Sequence, residues 1–334
     1  MPSLKTLTLL MITSFGLHAQ QKNIGKLVVE DPGFHQLLSK DAQIEVLASG
    51  FTWSEGPVWS KEGGFLLFSD VPENTIYKWK EGEALSIFLK PSGYTGKLPY
   101  SSEPGSNGLI INNTGDLVAC EHGDRRLTKM PLNSPGGKFP LADNWEGKRF
   151  NSPNDVVQTT NGTYFFTDPP YGLNGREDSK DREIDFFGVY KVDPKGNLTA
   201  VIKDLTRPNG VALSPDESVL YVAQSDPERA IVMSYPILED GELGKGEVLF
   251  DATDMVKAGL VGLPDGLKTD ASGNIFCTGP GGIMVLTSHG KLLGRIDTGQ
   301  ATSNCAWGDD GSVLYITADM FMCRIKTKTI GKGF

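Results

Sequence analysis

One unit recurs six times along this chain, and that periodicity limits the architecture more than any other feature. Each copy opens on an acidic or amide anchor, usually followed by Gly: Glu55, Asn107, Asn154, Asn209, Asp265 and Asn304. Successive anchors lie 52, 47, 55, 56 and 39 residues apart, within the range of propeller blades. Past each anchor come an apolar run, a Gly or Asp turn and a second apolar run. The second run ends in a polar element fourteen or fifteen residues after the anchor, as at Asp70, Glu121-His122, Asp168 and Gln224. A third apolar segment follows in every unit, and a fourth at 85–88, 198–202, 247–250 and 292–296. Four strands per unit predict an all-β chain, a six-bladed β-propeller. The last unit lacks room for its outer strand, so 44–48 is expected to supply it and close the ring, because an open ring leaves two bare sheet edges. The competing arrangement, two β-sandwiches, requires two cores and a break in composition that this chain lacks.

Composition narrows the function. A net charge of -9 with no basic run argues against a nucleic-acid partner. Residues 1–19 carry Lys5, an apolar stretch and a terminal Ala19, the pattern of a secretory signal peptide. The stretch is too short to span a bilayer. We therefore expect an exported protein, periplasmic or secreted, with one domain over 20–334. Four cysteines are too few for a disulfide scaffold, and buried thiols are expected, with a Cys305–Cys323 bridge as the alternative.

Propeller blades begin on their innermost strand, so a polar residue repeated in every blade forms a ring at one channel mouth. Two carboxylates and four amides make a hard oxygen set, suited to Ca²⁺, Mg²⁺ or Mn²⁺. The plainer alternative is that Asn-Gly and Asp-Gly are turn dipeptides. Glu121 and His122 end the second strand of blade two and are candidates, with Asn107, for contacts to substrate hydroxyls. Tyr171 is expected to wall the pocket, and Asp168 to stabilise its own turn. There is no G-x-S-x-G element, so no covalent serine nucleophile is indicated.

The motifs SEGPVW (54–59), SPNDVV (152–157), TDPPYG (167–172), RPNGVALSPD (207–216) and LPDGLKTD (263–270) carry a wider likeness. Over about 31–326 the chain resembles the gluconolactonase and regucalcin (senescence marker protein) family. ACEHGDRR (119–126) and LYITAD (314–319) are similar to its bacterial gluconolactonase branch. The resemblance implies hydrolysis of a sugar lactone with one divalent cation at the channel mouth, calcium first and Mg²⁺, Mn²⁺ or Zn²⁺ as alternatives. It places metal ligands at Glu55, Asn209 and Asp265, and a metal or substrate ligand at Asn154. An Arg found in some relatives two residues before that Asn is Ser152 here. A cation would polarise the lactone carbonyl, with Asp265 as base toward water and Glu55 as its carboxylate partner. A related hydrolase of another lactone or a phosphoester, and a non-catalytic sugar- or protein-binding propeller, remain as alternatives.

Overall fold

The computed structural model describes residues 23–133 and 137–334; the segment 1–19 read as a leader lies outside them. Six antiparallel sheets follow one another along the chain. Their innermost strands are Ser54–Ser60, Ser106–Ile111, Val156–Gln158, Pro208–Leu213, Leu267–Thr269 and Thr302–Gly308, which open blades one to six. Each blade then runs outward through three further strands. The predicted propeller is therefore the observed fold.

The core is a ring of six interfaces rather than one central mass, because each strand points alternate residues at its two neighbouring blades. In blade one Leu66 and Phe68 pack with Tyr315 and Met322 of blade six, while Leu67 packs with Leu109 and Met130 of blade two. In blade four Leu220 and Val222 face blade three, and Tyr221 and Ala223 face blade five. This is why the second strands read as unbroken apolar runs: both of their faces are buried.

Closure follows the expectation. Ile44–Ser49 pairs antiparallel with Phe321–Lys326 of blade six, matching Arg324 to Glu45 and Phe321 to Ser49. The N-terminal segment does more than predicted. Asn23–Ile24 adds a fifth strand outside Ile44–Ser49, and Lys26–Val29 adds one to blade five against Leu292–Asp297. Between them, helix Phe34–Leu37 buries Phe34, Leu37 and Leu38 in the seam between blades five and six. Leu38→Ala should therefore lower unfolding stability by about 2–5 kcal/mol, read from denaturant melts, since a wholly buried side chain leaves a cavity there. The four cysteines are buried free thiols, as expected. Among the described residues no helix is long and apolar enough to cross a membrane.

Candidate active site

The anchors are not turn residues. In blades one, two, four and six the innermost strand slips register at the anchor, for example between Glu55 and Val58 and between Pro208 and Val211. In blades three and five the regular strand begins only after it, at Val156 and Leu267. Such bulges bend a strand and re-aim its side chains, here into the channel. The following Gly answers to the next blade. A Cβ on Gly210 would stand 2.1 Å from the Asp265 carbonyl oxygen, and one on Gly56 (φ +49°) 2.0 Å from that of Asn107. Strand-two hydroxyls hold carbonyls at or beside the next blade's anchor: Ser69 donates to Asn107 O (2.9 Å), Thr167 to Asn209 O (2.6 Å) and Thr278 to Ser303 O (2.9 Å). Anchor position is thus set between blades as well as within one, where Asn154 N donates to Thr167 O (2.9 Å) and Asp265 N to Thr278 O (3.2 Å).

Five of the six anchors, Glu55, Asn107, Asn154, Asn209 and Asp265, line one cavity of about 470 Å³ together with Tyr171, and Asn304 does not. Glu55 is buried, and its Oε2 accepts from Gly56 N (3.0 Å) and Asn304 Nδ2 (3.3 Å). Burial pushes its carboxyl up to about 8, and the charge of Asp155 adds to the rise. Burial pushes Asp265 well above the carboxylate range too, with Glu55 as the largest charge acting against it. Asp155 is itself buried and raised, partly offset by Lys268. Its oxygens accept from Val156 N (2.9 Å) and Val211 N (3.3 Å). Burial thus raises all three carboxylates, and negative charge compounds it, Asp155 acting on Glu55 and both of these on Asp265, so that ionising them together is disfavoured unless positive charge is added.

The amides are aimed by their neighbours. Asn209 Nδ2 donates to Ser225 Oγ (2.8 Å), whose hydroxyl donates to Pro264 O (2.5 Å). This leaves Asn209 Oδ1 buried with no hydrogen-bond partner, as is Asn107 Oδ1. His122 lies behind Asn154 instead of in the cavity, which corrects its assignment as a substrate contact. Burial lowers it to about 4, so it is neutral at physiological pH. Its Nδ1 lies 3.1 Å from Glu103 O, and its Nε2 3.3 Å from Asn154 Nδ2. A neutral ring that donates to the carbonyl must accept from the amide, which fixes how Asn154 is turned.

Glu121 also differs from its expected role. Its buried carboxylate pairs with Arg126 Nε (2.6 Å), Thr128 Oγ1 (2.8 Å) and Lys138 Nζ (2.5 Å), and it does not line the cavity. It sits where Asp70, Asp168 and Gln224 sit in their own blades. Those three accept from the backbone N–H of Trp53, Asn151 and Thr206, fastening the chain as it enters each blade. Asp168 is held up at about 7 by burial in that duty. Ser152 donates to Pro169 O (2.5 Å) and accepts from Gly172 N (3.0 Å), which anchors the loop carrying Tyr171. The Tyr171 hydroxyl is buried without a hydrogen-bond partner, and burial together with Asp265 opposes its ionisation.

Three charged residues of the cavity region, Asp155, Glu103 and Arg176, had not been singled out from the sequence. Asp155 had a signal: four anchors are followed by Gly, and Asp155 is the charged exception. Glu103 and Arg176 lie in connecting loops, line the cavity and pair at 3.1 Å. Among the described residues no three His, Cys, Asp or Glu side chains converge as a ready metal cluster. A cation here would draw on amide oxygens as well. Glu55 and Asp265, Asn209 Oδ1 without a partner, and Asn154 supply a hard oxygen set that fits Ca²⁺ better than a thiolate metal.

Residues 53–319 match the profile of the SMP-30/Gluconolactonase/LRE-like region. A gluconolactonase of Zymomonas mobilis is 41% identical over 314 residues, which cover 92% of this chain and 88% of the relative. The structure of a Xanthomonas campestris gluconolactonase superimposes with a TM-score of 0.79 at 28% identity, covering 92% of this chain and 96% of that one. A structural-genomics X-ray structure gives a TM-score of 0.80 at 33% identity, covering 92% and 100% respectively. With the motifs, the six blades and the converging anchors all in agreement, the chain belongs to the SMP-30/gluconolactonase/LRE-like family.

Proposed function

We propose that this protein hydrolyses a sugar lactone of the gluconolactone type, using a divalent cation held by Glu55, Asn154, Asn209 and Asp265. One observation carries the reading: two carboxylates held up by burial, with Glu55 adding to the rise at Asp265, share a cavity with an amide oxygen that has no partner. That arrangement is costly without a cation and ready-made with one. The 41% identity to the Zymomonas gluconolactonase supports lactones as the substrate class. Once bound, the cation supplies Lewis-acid polarisation of the lactone carbonyl.

The chain's own groups supply the remaining chemistry. Asp265, a carboxylate lining the cavity, takes a proton from the attacking water. Water oxygen joins the carbonyl carbon, the ring C–O bond breaks, and the proton on Asp265 returns to the departing ring oxygen. Glu55 keeps one oxygen tied to Gly56 and Asn304, which holds the other toward the cavity centre. Asn107 and Tyr171 offer an oxygen and a hydroxyl to the sugar. The test is acid release from glucono-δ-lactone above the spontaneous rate, with and without chelator. We expect turnover that chelation abolishes and Ca²⁺ restores. Inertness toward lactones, or activity confined to phosphoesters, overturns the reading.

A further inference from the structure

We infer that Glu103 makes the cavity selective for uncharged lactones and hastens departure of the anionic product; this rests on the lactonase reading. The argument is one of charge. Among the residues lining the cavity the acids are Glu55, Glu103 and Asp265, and Arg176 is the one cation. A divalent cation offsets Glu55 and Asp265. Arg176 is already committed, its Nη2 lying 3.1 Å from Glu103 Oε1 and its guanidinium 5.9 Å from the centre of the Tyr171 ring. No lining cation is left to receive a phosphate or carboxylate on the substrate.

Glu103 is well placed to act as a fixed charge. Its own carbonyl accepts from His122, the residue that turns Asn154, so its backbone is tied to the anchor ring. Its carboxylate is largely buried, joining the connector before blade two to the blade-three loop that carries Arg176. An uncharged lactone meets no net repulsion there. Hydrolysis converts it to a carboxylate in the same cavity, where like charges beside protein repel more strongly than in bulk solution.

The experiment compares kcat/KM for glucono-δ-lactone and its 6-phosphate, together with inhibition by gluconate, in wild type, Glu103→Gln and Arg176→Gln. Wild type should strongly prefer the uncharged lactone. Glu103→Gln should cut that preference and the gluconate inhibition constant by about tenfold each, whereas Arg176→Gln, which bares the Glu103 charge, should shift both the opposite way. Arg176 is half-exposed, so its variant should fold even if the buried Glu103 site does not tolerate change. A preference that stays within about twofold of wild type in both variants overturns the filter alone. A wild type that uses the phosphorylated lactone equally well does the same. Absence of turnover on both lactones overturns the lactonase reading and this inference with it.

Discussion

Asp265→Asn should lower kcat/KM on glucono-δ-lactone by about a thousandfold, the scale of losing a preorganised charged group from an active site, while raising the melting temperature of the metal-free protein. The two effects have one origin. The carboxylate is buried beside Glu55 and Asp155, so its charged form is disfavoured in the folded state. An amide of the same shape carries no charge to bury, yet it can neither accept the water's proton nor balance a cation. Glu55→Gln should behave alike, since its carboxyl is raised by the same burial. Steady-state kinetics and calorimetric melts of chelator-treated samples check both halves. Undiminished turnover in either variant would remove that residue from the mechanism, and a lowered metal-free melting temperature would show that the carboxylates do not strain the empty ring.

Chelator-treated protein should grow less stable as pH rises from about 4.5 to 8. The sign follows from the direction of the shift. Glu55 is an acid whose folded-state value, about 8, lies above its ordinary 4.5. Below 4.5 it is protonated in both states and costs nothing. Through the interval, the unfolded chain releases the proton while the folded chain retains it, so stability is lost progressively until the folded value is passed. Asp265 is raised by the same cause and acts in the same sense. Saturating Ca²⁺ should remove most of this slope, because a bound cation substitutes for the protons. At a free concentration a hundredfold above Kd, stabilisation should be about 2.7 kcal/mol, or about 4 °C in melting temperature. Parallel pH profiles with and without Ca²⁺ would count against a cation at these residues.

The blades were readable from the sequence because their signal is local and repeated. Unbroken apolar runs along 65–68 or 219–223 show a strand without reference to anything distant, and an anchor met six times marks the channel side of each blade. Closure by Ile44–Ser49 was also legible, since a missing strand at one end and a spare one at the other constrain each other. Asn23–Ile24 and Lys26–Val29 were not, because their register depends on partners settled elsewhere in the fold. Site residues divide on similar grounds. Glu55, Asn107, Asn154, Asn209 and Asp265 converge because a shared place in the repeat implies a shared place in space. Glu121 and His122 show where that logic ends. Position in a repeat tells which end of the blade a residue occupies, not where its side chain turns. Arg126, Thr128 and Lys138 claim the Glu121 carboxylate, and burial behind Asn154 claims His122. Glu103 and Arg176 belong to loops with no period to read.

The join between the two chain ends also bears on biosynthesis. Blade six takes Ile44–Ser49 from the start of the chain and Phe321–Lys326 from its finish. At about 5–20 residues per second, a ribosome needs tens of seconds to travel from one to the other. Throughout that wait the early strand's amides and carbonyls have no sheet to join. Other blades can assemble in order, but the toroid remains a horseshoe until its last strands emerge. Truncation near the C-terminus should therefore harm this protein far more than the loss of so few residues suggests.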